Sequence, residues 1–176
     1  THMDGARFAN AIAHLGCTPA ELTWKSGVDI LSFGVTKNGG LLSDAIVVFN
    51  DEIASNIGFH LRRAGMIWSK MRFASAQIQA YIEDDLWIRL ASQSNAAATA
   101  LAQAIQRIEG ARTIAPVQAN EVFLAMRAEA LDQLARNGVL FYRRDPELAR
   151  LVCRWDTTES EVKQLVDLIE KAAVAA

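Results

Sequence analysis

The sequence predicts an α/β protein: a parallel strand–helix–strand unit with a further strand, then long helices, then a small two-layer α/β domain. Three observations predict it. Short apolar runs bounded by turn residues, at 28–34 and 44–50, read as buried strands. Residues 51–109 carry apolar side chains at helical spacing. From 111 onward, short strand-like runs alternate with two helical patterns.

Residues 1–5 read as the end of a strand, with Gly5 allowing the turn. Phe8, Ala11, Ile12 and Leu15 recur at helical spacing, so 6–15 reads as a short helix stopped by Gly16. Thr18 suits the cap and Pro19 the first position of another helical turn, continuing to Trp24. The order strand, helix, strand implies a right-handed crossover and a parallel pair. Ile53, Ile57, His60 and Leu61 open the long helical region, and Gly65 marks a break within 62–68. Ile78, Tyr81, Ile82, Leu86 and Leu90 form one apolar stripe, and Glu109-Gly110 ends it. The domain boundary is therefore expected near 110, giving units 1–110 and 111–176. In the second unit, 112–116, 121–126, 139–142 and 151–155 read as strands, and 129–137 as a helix stopped by Gly138. Thr157-Thr158-Glu159-Ser160-Glu161 reads as the start of the last helix, with a threonine cap and acids in the first turn, and that helix buries Val162, Leu165, Val166 and Ile169.

With 176 residues, 51% hydrophobic and 22% charged, the chain is long and apolar enough for a sizeable core. A net charge of −2 gives no basic field for nucleic acid. The apolar stretches stop short of membrane-spanning length, and no basic-then-apolar leader is seen, so no membrane partner is expected. Cys17 and Cys153 lie far apart with no histidine cluster, which argues against a disulfide scaffold and a metal site. A reducing cytoplasm is the expected location.

Two stretches carry candidate chemistry. The strand at 28–34 runs into Val35-Thr36-Lys37-Asn38-Gly39-Gly40. A lysine at the end of a buried strand is costly unless compensated. A desolvated lysine becomes nucleophilic and forms Schiff bases with carbonyls. The alternative is a strand-end lysine whose head group snorkels to solvent. Ser32, Gly34, Thr36, Gly39 and Gly40 leave room for a flat ring and offer hydroxyls to a phosphate. Near the start, His2-Met3-Asp4-Gly5-Ala6-Arg7 places an acid at a strand end. Such an acid partners a pyridinium nitrogen in pyridoxal phosphate sites; the alternative is a turn-forming Asp before Gly. Both Asp4 and Lys37 fall at carboxyl ends of strands, where open parallel sheets keep their sites.

The motifs His-Met-Asp-Gly-Ala-Arg (2–7) and Ser-Phe-Gly-Val-Thr-Lys-Asn-Gly (32–39) together resemble the low-specificity L-threonine aldolase family, including its phenylserine aldolase relatives. The resemblance continues through Arg62-Arg63-Ala64-Gly65, Ser69-Lys70-Met71-Arg72-Phe73, the segment 80–87, Ala119-Asn120-Glu121-Val122-Phe123, and 141–142 to 155–158. It implies the second half of a pyridoxal 5′-phosphate fold-type-I large domain, followed by long helices and the small α/β domain. Family members are about twice as long, and their first half carries the phosphate loop and the ring-stacking side chain. Because His2 and Met3 fit the motif, the first residues are read as native and not as the scar of a cleaved tag.

The resemblance also implies roles. Lys37 would be the Schiff-base lysine, and Asp4 would hold the ring nitrogen protonated. Thr36 would lie near the cofactor, and Arg72 near its phosphate, reaching across a subunit contact. Arg7 and Arg150 would hold the substrate carboxylate, with Arg143, Arg144 and Arg154 competing for the place of Arg150. The family's glycine-rich run before the Met-Arg pair is replaced here by Met66-Ile67-Trp68-Ser69-Lys70, so the local loop shape is open. His2 is expected on the face opposite Asp4, and His14 and His60 as surface or helix-packing residues. The four tryptophans read as core or subunit-contact anchors. The implied reaction is retro-aldol cleavage of threonine, allo-threonine or phenylserine to glycine and an aldehyde, by a homo-oligomer (dimer or tetramer). Two alternatives stay open: another enzyme of the same fold type, such as an aminotransferase or β-eliminating lyase, or an inactive piece acting only in subunit association. Without the phosphate loop, the 176 residues alone are expected to bind the cofactor weakly and turn over nothing.

Overall fold

Strand β1 (His2–Gly5) runs parallel to β2 (Ile30–Phe33), as the strand–helix–strand order predicts, with helices α1 (Phe8–Leu15) and α2 (Pro19–Leu22) between them. The computed structural model that gives this describes residues 1–175. Thr18 caps α2 as expected, in a reciprocal box with Glu21 behind Pro19. Strand β3 (Ala45–Val48) adds antiparallel to β2, giving the order β1-β2-β3.

Met3, Leu31, Phe33 and Val47 point to one face of this sheet and pack with Phe8, Ile12, Tyr81 and Trp87. Phe8 stacks on Trp87 at 6.2 Å, and Phe33 meets both edge-on. Helix α3 (Asp51–Arg63) is capped by Asn50, whose side chain accepts from Glu52 and Ile53 amides. The break at Gly65 is present, with φ of 68°. Helix α4 (Arg72–Ile82) follows.

The single stripe expected from Ile78 to Leu90 is in fact two helices. A 3-10 turn at Glu83–Asp85 separates α4 from α5 (Leu86–Ile105), with Asp84 and Asp85 at φ of 50° and 54°. Aspartate tolerates the left-handed region. The acids then sit before the positive end of α5, where negative charge is favourable.

Contact density divides the chain into Thr1–Ala91 and a second unit from Ser92 onward. The division lies within α5, not at the expected 110. Trp87 and Ala91 belong to the first core, while Ala98, Leu101, Ala102 and Ile105 belong to the second. Apolar contacts, and not the helix end, decide the boundary.

The second unit is a four-stranded antiparallel sheet, order β4-β5-β7-β6, made of β4 (Arg112–Thr113), β5 (Glu121–Ala125), β6 (Tyr142–Asp145) and β7 (Leu148–Val152). Burial alternates along β5 and β7, so one face is covered. Helices α6 (Ala128–Arg136) and α7 (Glu159–Ala175) supply the second layer with the rest of α5. Leu101, Ile105, Leu124, Leu131, Leu134 and Ile169 are fully buried; each such side chain contributes roughly 1.5–3 kcal/mol.

Two strands lie three residues from their predicted places. Val139 is drawn into the cap of α6, its amide bonding Leu134 O beyond Gly138, so β6 starts at Tyr142 and not at 139. Arg154 and Thr157 close a turn on each other, so β7 ends at Val152 and not at 155.

Candidate active site

The two motifs meet at the carboxyl ends of β1 and β2, where Asp4 registers with Ser32 and Gly5 with Phe33. Beyond that pair the Gly34 amide donates to Gly5 O at 3.0 Å. This closeness needs both glycines. A Cβ on Gly34 would lie 2.6 Å from Ala6 Cα, and one on Gly5 would lie 2.6 Å from Leu31 Cδ1 and Ser32 O.

Asp4 is exposed, and its Oδ1 accepts the Ala6 amide at 3.0 Å. The turn-forming use of Asp before Gly is therefore realised. It engages one oxygen and leaves the carboxylate open to solvent.

His2 lies on the same face as Asp4, contrary to the expectation of opposite faces. Strand side chains repeat every two residues, so positions two apart share a face. His2 Nε2 accordingly lies 2.9 Å from Ser32 Oγ, on the residue that registers with Asp4. His14 and His60 are on the surface, the first of the two placements expected for them. Of the tryptophans, Trp87 is in the core and Trp24, Trp68 and Trp155 are exposed.

Lys37 is not at the end of a buried strand. Strand β2 stops at Phe33, and Lys37 is the exposed middle residue of a 3-10 turn, Thr36–Asn38. The desolvation expected from a strand-end position is absent, because Gly34 and Val35 carry the chain out of the sheet first. The turn itself is firmly held. Asp44 Oδ1 accepts the Val35 amide at 2.8 Å, the Thr36 amide at 3.0 Å and the Thr36 hydroxyl at 3.0 Å. Buried Asn38 donates to Tyr81 Oη at 2.6 Å and to Trp87 O at 2.8 Å. Burial alone would raise the Asp44 carboxyl, but the Thr36 and Val35 hydrogen bonds and the Lys37 charge outweigh it and hold it below the usual range. Burial is also the main cause that pushes the Tyr81 phenol up to about 12. The residues at 36–38 were legible as a motif, whereas the bonds that Asp44, Tyr81 and Trp87 make to them were not, because they come from distant positions.

Arg7 immediately precedes α1 and is half-buried. Arg72 is the first residue of α4, exposed, with Cζ 4.8 Å from the Phe73 ring centroid. A cation at a helix N-terminus opposes the helix dipole, so that position favours an accompanying anion.

In the second unit, Arg150 lies inside β7 and not ahead of the strand. Its Cζ is 4.5 Å from the centroid of Tyr142, its cross-strand partner, and its Nη1 is 3.7 Å from Glu121 Oε1. Its Nε is buried without a hydrogen-bond partner. Of its competitors, Arg143 is committed to Asp132 and to the Ala128 and Pro146 carbonyls, and Arg154 to Asp156.

The donor set suits pyridoxal phosphate in kind. An exposed carboxylate near the end of β1 and an exposed primary amine in the turn after its parallel neighbour β2 flank a backbone junction that a Cβ would obstruct. A beta-eliminating lyase family model matches residues 1–129. The chain belongs to the beta-eliminating lyase family. Within that family it is 47% identical over 165 residues to the low specificity L-threonine aldolase of Pseudomonas sp. (strain NCIMB 10558), covering 93% of this chain and 48% of that protein. It is 44% identical, with the same coverage, to the low specificity L-threonine aldolase of Pseudomonas aeruginosa. Among solved structures, the threonine aldolase of Leishmania major superposes with a TM-score of 0.85 at 24% identity, over 98% of this chain and 51% of that one. The chain thus has the threonine aldolase fold and spans about half the length of the curated relatives it matches. Among its described residues, no helix is long and apolar enough to cross a membrane, and no group of three or more His, Cys, Asp or Glu could hold a metal ion.

Proposed function

We propose that this chain supplies the cofactor-holding residues of a pyridoxal-phosphate-dependent aldolase that cleaves L-threonine-type β-hydroxy amino acids to glycine and an aldehyde. What supports this reading is the placement of Asp4 near the carboxyl end of β1 and of Lys37 in the turn that follows its parallel neighbour β2, in a chain similar to low specificity L-threonine aldolases. Pyridoxal phosphate, when bound, supplies an electron sink for cleavage at Cα.

Lys37 would tether the cofactor through its amine and take it back at the end of the cycle. Asp4 would hold a proton on the ring nitrogen with the carboxylate oxygen not taken by Ala6. Thr36 and Arg72 are the candidates for the cofactor's polar and phosphate side. Arg7 would bind and orient the substrate carboxylate, for which a planar guanidinium fork is suited. Arg150, with an unused buried Nε, is the second candidate for a carboxylate. The acting protein would be a cytoplasmic homo-oligomer. Exposed Phe59, Trp68 and Phe73 supply apolar surface that favours association.

The test is a product assay on protein that also supplies the phosphate-binding loop; the 176 residues alone are expected to bind the cofactor weakly and turn over nothing. Glycine and aldehyde should appear from threonine or phenylserine, and Lys37→Ala should abolish them. Keto acid with ammonia, or amino-group exchange without glycine, would instead assign a β-elimination or an aminotransfer.

A further inference from the structure

We propose that Asp44 is a positioning residue for Lys37, holding in place the turn that presents its amine. The inference rests on reading Lys37 as the cofactor lysine.

Lys37 is exposed, and its backbone position is set by its neighbours. On one side, a single oxygen of Asp44 collects three donors from Val35 and Thr36. On the other, Asn38 is 3% exposed and bound to Tyr81 and to Trp87. The turn closes on itself as well, the Asn38 amide bonding Val35 O at 3.1 Å and the Gly40 amide bonding Val35 O at 3.0 Å. Lys37 is thus the middle residue of a three-residue turn whose ends are fastened to different elements.

Of the two fastenings, the Asp44 side is the charged one. Hydrogen bonds to an ionised acceptor are about twice as strong as neutral ones. The charged and titratable groups acting on Asp44 are Lys37, which favours its anion, and Tyr81 from α4. Its lowered carboxyl keeps the clamp in place above the ordinary carboxylate range and releases it only as pH falls through the lowered value.

The experiment compares Asp44→Ala, Asp44→Asn and Thr36→Val with the wild type, in protein that also supplies the phosphate-binding loop. It reads hydrogen exchange at the Val35 and Thr36 amides. It also reads trapping of Lys37 by pyridoxal phosphate and borohydride, scored by mass spectrometry against Lys70. Asp44→Ala should lower amide protection and Lys37 trapping about tenfold, with Lys70 unchanged. Asp44→Asn keeps an acceptor oxygen and should restore most of both. If Asp44→Ala does not fold, Thr36→Val decides through hydrogen exchange: it removes one of the three donors and should lower protection of the Val35 and Thr36 amides about twofold. Equal trapping and equal protection across the variants would overturn the proposal. Wild-type protein not trapped at Lys37 would instead overturn the cofactor-lysine reading, and this inference with it.

Discussion

The Gly34 amide donates to the Gly5 carbonyl at 3.0 Å, so the turns that carry the Lys37 and Asp4 motifs are joined backbone to backbone. Each motif contributes a glycine to the junction, which explains why neither glycine tolerates a side chain there.

Gly34→Ala should therefore destabilise the protein by about 1–3 kcal/mol, since the added Cβ meets backbone that cannot swing away. The urea midpoint should fall with an unchanged slope. Gly58→Ala in α3 is the control, because open space surrounds that position. It should gain roughly 0.5–1 kcal/mol from helix propensity. An unmoved midpoint for Gly34→Ala would contradict the junction.

Asn38→Ala should cost about 1–3 kcal/mol, because Tyr81 Oη and Trp87 O lose a buried donor. Tyr81→Phe should cost less, since Asn38 keeps its bond to Trp87 O. Urea denaturation of the two variants orders them; the reverse order would mean that Asn38 is held by Tyr81 alone.

The two cysteines should differ in reactivity. Burial pushes the Cys153 thiol up to about 11, while Cys17 is half-buried. Burial disfavours the thiolate, which is the reactive form. A disulfide reagent at pH 8 should titrate Cys17 in native protein and reach Cys153 only after denaturant is added. Two equally fast thiols would show that the second core is open.

The last helix should lose stability in acid. Glu161 is held below its usual value by the Thr158 amide and hydroxyl. A lowered carboxyl contributes above its unfolded value, and the contribution is lost as pH falls through the folded one. The wild type should melt above Glu161→Gln at neutral pH, and the gap should close in acid. A gap that persists in acid would assign the difference to packing.

Much of this fold was legible in sequence where the cause was local. Thr18 before Pro19, the break at Gly65, and a threonine cap ahead of Glu161, supplied by Thr158, each act within one turn and stand where expected. The parallel β1–β2 pair followed from element order. What was not legible was set over distance. Asn38 and Tyr81 are 43 residues apart, and Asp44 reaches Thr36 from beyond a loop. Lys37 was expected at the tip of a strand because the apolar run continues to Val35. However, Val35 is buried after the strand has already ended. The α4–α5 break was hidden by an apolar stripe that continues in phase across Asp84 and Asp85.

The central claim is that Lys37 is the amine that takes pyridoxal phosphate. Its most direct measurement is borohydride trapping of the cofactor on protein that also supplies the phosphate-binding loop, mapped by mass spectrometry. The account predicts modification concentrated on Lys37, absent in Lys37→Ala and weakened in Asp4→Ala. Modification spread evenly over Lys25, Lys70, Lys163 and Lys171, with no preference for Lys37, would contradict it.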